Sequence, residues 1–280
     1  MVAAPVVPSP EAAEGIEMAE SPRPTVTMPD RDPGEPIHQW VFRALRRAIM
    51  TGHFPPGQAV TIRGLAESMN VSAMPVRDAL RRLVAERALE LLDNRRVRVP
   101  SMTTERFDEL LTARITLETE AATRALPLID DTRLRELHAI DDRINRADAA
   151  GAPDTVVEQN FLFHLTLYTA RPGSIFVPLI ESVWLQTGPF MRVALEETPS
   201  KDPIDRHIEA LAAIADRDPA ALRRAIEADI RDGIGHLGNT GLLVREQRPP
   251  GRLLSPGRSP RRAAKIASET TRNAREAGLT

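Results

Sequence analysis

The sequence predicts a mainly α-helical chain in two modules: three short helices closed by a small β-hairpin near the N-terminus, then an antiparallel all-helical bundle. Three observations carry this expectation. Apolar residues recur at helical spacing through most of residues 37–242, the pattern changes to alternation at 89–99, and charge divides sharply along the chain. Residues 36–100 hold eleven arginines against five acids, whereas residues 101–242 carry a net charge of −9, so the overall −2 averages a basic module and an acidic one. Such a split points to a polyanion as partner of the basic part and to a separate task for the acidic part.

The 280 residues hold one large domain or two smaller ones. With no cysteine there is no disulfide framework, thiolate zinc site or cysteine nucleophile, and the composition fits a reducing compartment. No run of about 18 apolar residues occurs, and acids rather than a basic patch mark the start, so a cytoplasmic protein without membrane association is expected. Four segments follow: a disordered tail over 1–34, a basic module over 35–100, an acidic all-helical module over 101–242, and a disordered basic tail over 243–280. Seven prolines interrupt residues 1–34, and 246–280 are rich in Pro, Gly, Arg and Ser. Residues 263–277 there are compatible with a transient helix whose arginines add nonspecific contacts to nucleic acid.

Val41, Ala44, Leu45, Ala48 and Ile49 form one face of a first helix, which Gly52 closes. After Pro55-Pro56-Gly57, Thr61 caps a short helix with Ile62, Leu65, Ala66 and Met69, ending at Asn70. Ser72 caps a third, whose stripe is Val76, Ala79, Leu80, Leu83 and Val84, with Arg77, Asp78, Arg81 and Arg82 on the other faces. Two helices joined by a tight turn, the second basic at its exposed start, make helix-turn-helix geometry. Two extended runs around Asp93-Asn94 follow, with Val97 and Val99 on one face and Arg96 and Arg98 on the other: a β-hairpin wing. Periodicity alone fits a small helical domain with a solvated basic face equally well, so the order of parts decides.

From Phe42 to Pro100 that order resembles the winged-helix domain of GntR-family bacterial transcription regulators. The resemblance rests on Ile49-x-x-Gly52-x-x-x-Pro56-Gly57, on Leu65-Ala66, and on Val71-Ser72-x-x-Pro75-Val76-Arg77-Asp78-Ala79-Leu80. It implies that Arg77 contacts DNA from the recognition helix, that Arg43 or Arg47 approaches phosphates, and that Ser72 holds the helix start against the backbone. With Met74 and Arg81 on the same helix and Arg96 on the wing, these form the expected DNA-binding set. The chain departs from the family in having Ala73 where Arg is frequent, and in lacking Gly near Ala88 and at the wing tip, where Asn94 to Arg96 stand. Loss of one base-reading Arg changes specificity by about 1–3 kcal/mol rather than abolishing binding, and Arg96 can substitute with a phosphate or minor-groove contact.

Residues 104–242 read as about six helices, broken at Pro127, 151–153, 171–174, 198–203 and 216–219, with Leu110, Leu111, Ile115, Leu117 and Ala121 at heptad-like positions. Gly188-Pro189 predicts a kink. Within this pattern Asn160 and His164 share one helix face, His207 lies on a later helix, and Asp229 and His236 are two turns apart on the last. Nitrogen and oxygen ligands on facing helices suit zinc, nickel or manganese, although a lone helical His is ordinarily a surface or hydrogen-bonded residue. Arg114 has Glu118 four residues on, so it either pairs within the helix or captures a carboxylate bidentately.

Arg114 to Glu118, Asn160-x-x-Phe163-His164, and His207 with Leu211 and Ala213 are similar to the ligand-binding domain of the FadR subfamily, the FCD type. That resemblance implies a divalent metal held by an Asp or Asn and three histidines, with a first-helix Arg pairing with an effector carboxylate. Asn160, His164, His207 and Arg114 match. At the third histidine's interval stands Asp229, with His236 one heptad later, so Asp229 completes the site, or His236 reaches in, or the site is empty; position favours Asp229.

The function expected is that of a dimeric regulator, a repressor, bound to a palindromic double-stranded DNA operator and released by a small organic acid. A metal-dependent enzyme is the competing class, but no general base stands beside the candidate ligands and no Gly-x-Ser-x-Gly or His-Glu-x-x-His occurs. A DNA-binding protein whose second module only dimerises is the third reading.

Overall fold

The computed structural model describes residues 26–92, 96–197, 206–235, 237 and 243–244, all within one compact unit that ends at Arg245. Asn94, His236 and the segment 263–277 lie outside these described residues. In chain order come α1 (Ile37–Met50), β1 (Ala59–Thr61), α2 (Ile62–Ser68), α3 (Ala73–Ala85), β2 (Glu90–Leu91), β3 (Arg96–Arg98), α4 (Thr104–Ala125), α5 (Asp131–Ala149), α6 (Pro153–Tyr168), α7 (Phe176–Glu197), α8 (Arg206–Ala215) and α9 (Pro219–Ile234), with a 3-10 turn at Leu126–Leu128.

The basic module forms from its apolar stripes. Val41, Ala44, Leu45, Ala48 and Ile49 of α1 are buried, and α1 packs on α3 through Val76, Ala79, Leu80 and Leu83. Gly52, at φ +76°, ends α1 in the left-handed region that a side chain disfavours. The Thr61 hydroxyl accepts from the Gly64 N–H at 3.0 Å, capping α2, and Asn70 turns the chain toward α3 at φ +52°. Ser72 occupies the N-cap position of α3 with extended backbone, but its hydroxyl makes no cap bond among the described residues.

In place of a lone hairpin there is a three-stranded antiparallel sheet in the order β1-β3-β2. Ala59, Val60 and Thr61 pair with Arg98, Val97 and Arg96, and Val60 and Val97 face the core. Three residues are too few to show alternation, which is why β1 escapes sequence reading. Residues 26–34, which their prolines and lack of periodicity assign to an unfolded tail, are tied to α1 together with Glu35. Val26 is buried, Trp40 Nε1 donates to the Pro29 carbonyl at 2.7 Å, and Arg43 binds Glu35 at 2.7 Å and the Asp30 carbonyl at 2.9 Å.

Six α-helices among the described residues build the acidic module. Thr103, Asp130 and Asp218 cap α4, α5 and α9 by accepting backbone N–H groups. Helix α4 packs on α7 and α9, α5 on α6, and α8 on α9. Val244 returns to the junction between the modules, where its N–H meets the Met102 carbonyl at 2.9 Å. Helix α1 docks on α7: Arg46 binds Glu181 at 2.6 Å, and a Cβ at Gly188 would overlap the Met50 carbonyl. Pro189 lies inside α7 and supplies no N–H to the Leu185 carbonyl.

Candidate metal centre and nucleic-acid interface

Ser72 at the N-cap of α3 and Met74, Arg77 and Arg81 on it are all exposed, Met74 to 61%. Arg77 and Arg81 also border a groove of about 430 Å³ lined by Ile62, Leu80, Val84, Leu91 and Val97. Arg82 is spent elsewhere, its guanidinium 3.5 Å from the centre of the Phe42 ring. Arg96 is exposed on β3, and its neighbour Arg98 pairs with Glu90 across the sheet at 2.5 Å. The two α1 arginines expected at phosphates, Arg43 and Arg47, have surroundings of their own. Arg43 is held by Glu35, whose carboxyl it draws below the usual range, and Arg47 faces a cavity of about 150 Å³ with Thr51, His53 and Glu158. Arg63, exposed at the start of α2 and paired with Glu67 at 2.8 Å, joins the basic surface without having been singled out in the sequence. Its signal was a cation in the first turn of the helix before α3.

The bundle brings His164 of α6, His207 of α8 and Asp229 of α9 together, with one ligand atom of each lying within 4.8 Å of the others. His164 Nε2 is 3.0 Å from Asp229 Oδ2, and His207 Nε2 is 3.6 Å from Asp229 Oδ1. Burial raises the Asp229 carboxyl, but His164, His207 and Arg114 outweigh it and hold the group at about 2, so it is anionic at neutral pH. Two imidazoles and a carboxylate converging in a buried site are a donor set that a divalent cation fits. Asn160 lies on α6 beside His164, and both line the same cavity of about 40 Å³. The cavity's other walls include Arg114 of α4, Trp184 and Met191 of α7, and Met50 from the end of α1.

Arg114 has both of the anticipated environments. Its Nε donates to Glu118 Oε1 at 2.7 Å, the intrahelical pair, while Nη1 reaches the cavity, where its partner is the Met191 thioether at 3.7 Å. Burial opposes the charge of Arg114 and Glu118 restores it. A sulfur is a weak acceptor for a guanidinium, and a carboxylate oxygen is a strong one. Glu118 is fully buried and also accepts from Trp184 Nε1 at 2.9 Å and the Tyr168 hydroxyl at 3.0 Å. Asp141 Oδ1, on α5, lies 3.2 Å from His207 Nδ1, within hydrogen-bond distance. Tyr168, Trp184 and Asp141 are parts of the site that sequence reading missed. Tyr168 alone carried a signal, at one helical turn from His164.

Among the described residues no helix is long and apolar enough to cross a membrane. Residues 38–99 match the family model for bacterial regulatory proteins of the gntR family, and residues 109–232 match the FCD domain. The chain is 26% identical to the HTH-type transcriptional regulator McbR of Escherichia coli over 196 residues, 69% of this chain and 89% of that one. It is 25% identical to the gluconate operon transcriptional repressor of Bacillus subtilis, covering 67% and 79% of the two chains. The solved structure of E. coli McbR/YncC superposes with a TM-score of 0.68 at 26% identity, over 73% of this chain and 98% of that one. A putative GntR regulator from Rhodococcus, at 23% identity and a TM-score of 0.60, shares the fold. These domains and relatives are those of a transcription regulator and not of an enzyme. With a winged helix-turn-helix followed by a helical domain, matched in that order along the chain, the protein belongs to the GntR family of transcription regulators and carries an FCD domain.

Proposed function

We propose that the protein is a cytoplasmic, homodimeric repressor of the FadR subfamily, whose α3 and wing read a palindromic operator and whose bundle releases it when a small carboxylate binds. The observation that carries this reading is the cavity shared by Arg114, Asn160, His164 and Met50, because it puts a cation, a candidate metal ligand and the DNA-binding module's first helix around one space. Arg114 Nη1 would exchange the Met191 sulfur for an effector oxygen. His164, His207 and Asp229 would hold zinc, nickel or manganese with Asn160 as a further oxygen ligand, and such an ion would supply a Lewis-acid face for a second effector oxygen. An effector shifts operator binding only by its difference in affinity for the two states, and a ligand that touches Met50 senses where α1 sits. Repressors among the relatives support the sign. Two-fold symmetry of the dimer would match two half-sites.

The test is the metal content of untagged, chelator-free protein by elemental mass spectrometry, beside a variant with His164→Ala and His207→Ala. Stoichiometric metal in the wild type, lost in the variant while operator binding persists, is the expected result. Absence of metal from both proteins would remove the metal and leave a cavity governed by Arg114.

A further inference from the structure

We propose that Tyr168 and Asp141 are the positioning residues of the metal centre, each holding one imidazole by its Nδ1–H so that the Nε2 lone pair faces Asp229 and the ion between them. The inference rests on the metal reading above. A tyrosine hydroxyl has one proton, and that of Tyr168 goes to Glu118 Oε2 at 3.0 Å. Only its lone pairs remain for His164 Nδ1 at 3.1 Å, so the proton of that contact belongs to the imidazole. The direction of the chain is set at its far end. Glu118 takes Arg114 Nε at 2.7 Å and Trp184 Nε1 at 2.9 Å on Oε1, both obligatory donors, and so accepts throughout. On the other side the Asp141 carboxylate is an acceptor too, and it meets His207 Nδ1 at 3.2 Å from inside the core. Two imidazoles oriented in this way present two lone pairs to a third electron-rich group, Asp229, at 3.0 and 3.6 Å. A cation between them reconciles the three, and outer partners of this type are what fix ligand tautomer and ring orientation in metal sites.

Tyr168 is the chain's single tyrosine, and it lies one turn after His164 on the same helix. Asp141 lies on α5, which contributes nothing else to the cluster.

The experiment compares the full-length wild type with Tyr168→Phe, Asp141→Ala and Asp141→Asn. Zinc affinity is read by competition with a chromophoric chelator, and the tautomers of histidine-labelled metal-free protein by long-range proton–nitrogen NMR at alkaline pH. Tyr168→Phe, which keeps the ring volume, and Asp141→Ala are expected to weaken zinc about 10–100-fold with operator binding retained. His164 moves toward the Nε2–H tautomer in the first variant and His207 in the second. Asp141→Asn keeps an acceptor oxygen and recovers most of the affinity. Unchanged zinc affinity and unchanged tautomers in Tyr168→Phe and Asp141→Ala, with a zinc-binding wild type, overturn the positioning roles alone. A wild type that takes up no zinc overturns the metal reading and these roles with it.

Discussion

Asp229 stands at the interval where a third histidine is expected, and the structure turns that departure into a carboxylate facing two imidazoles. In metal-free protein its carboxyl is held at about 2 against an ordinary 3.8. A lowered carboxyl pKa contributes stability that is complete above the unfolded value and is lost as pH falls through the folded one. Unfolding free energies of metal-free protein should therefore drop by on the order of 2 kcal/mol between pH 4 and pH 2 on account of this group. Asp229→Asn should flatten that stretch of the curve in denaturant titrations. On the DNA face the two kinds of arginine separate. Arg77→Ala should cost about 1–3 kcal/mol of operator affinity, roughly 5–150-fold by fluorescence anisotropy, and relax the preference for one base pair. Arg43→Ala should cost far less, because the side chain already spends its charge on Glu35. The ligand types and the Arg114 pair were legible as letters at helical spacing. Asp141 was not, because only the fold places α5 against α8.

The helices that the sequence shows best are those with an apolar stripe or a cap, such as α1 with its six buried positions and α9 with Asp218. Less visible are elements whose order comes from tertiary partners, notably β1, which exists because β3 is beside it, and the 26–35 segment, which Trp40 and Arg43 hold. Ser72 shows the limit of cap rules: its position follows the pattern, but its hydroxyl is left for another partner. Arg87 ends α3 at φ +60°, near the point where the family usually has glycine. The left-handed conformation costs a side-chain-bearing residue about 1–2 kcal/mol, partly offset by the larger unfolded-state entropy of glycine. Arg87→Gly should thus stabilise the winged helix by about 0.5–1 kcal/mol, seen as a higher thermal midpoint, and no gain would mean that the turn is not strained. Asp218 accepts from the Ala220 and Ala221 N–H groups at 2.9 and 3.0 Å. Asp218→Ala should cost about 1 kcal/mol in chemical denaturation, with Asp218→Asn nearly neutral.

At the scale of the whole molecule, the two modules meet where α1 ends against α7, and the same point borders the cavity that Arg114 and His164 line. Gly188 allows this approach, since its Cα lies so near the Met50 backbone that a methyl group would overlap the carbonyl. Neither side yields easily, because the obstacle is main chain rather than a flexible tip. Met50 in turn forms one wall of the cavity that holds Arg114 and His164, so the fit of α1 on α7 and the shape of the pocket are one variable. Arg46, bonded to Glu181 of α7 at 2.6 Å and to Glu86 after α3 at 3.6 Å, links the same joint to the end of the recognition helix. Gly188→Ala should separate α1 from α7 at a cost of about 1–3 kcal/mol. It should leave the His164, His207 and Asp229 cluster able to take up metal, because those side chains come from α6, α8 and α9. The expected signature is a lower thermal midpoint, altered operator affinity and a blunted response to effector, with metal content unchanged. Normal operator affinity and a normal effector response in this variant would show that the joint does not carry the signal, and would shift attention to the Met102–Thr104 chain link and the backbone hydrogen bonds that Val244 makes with it.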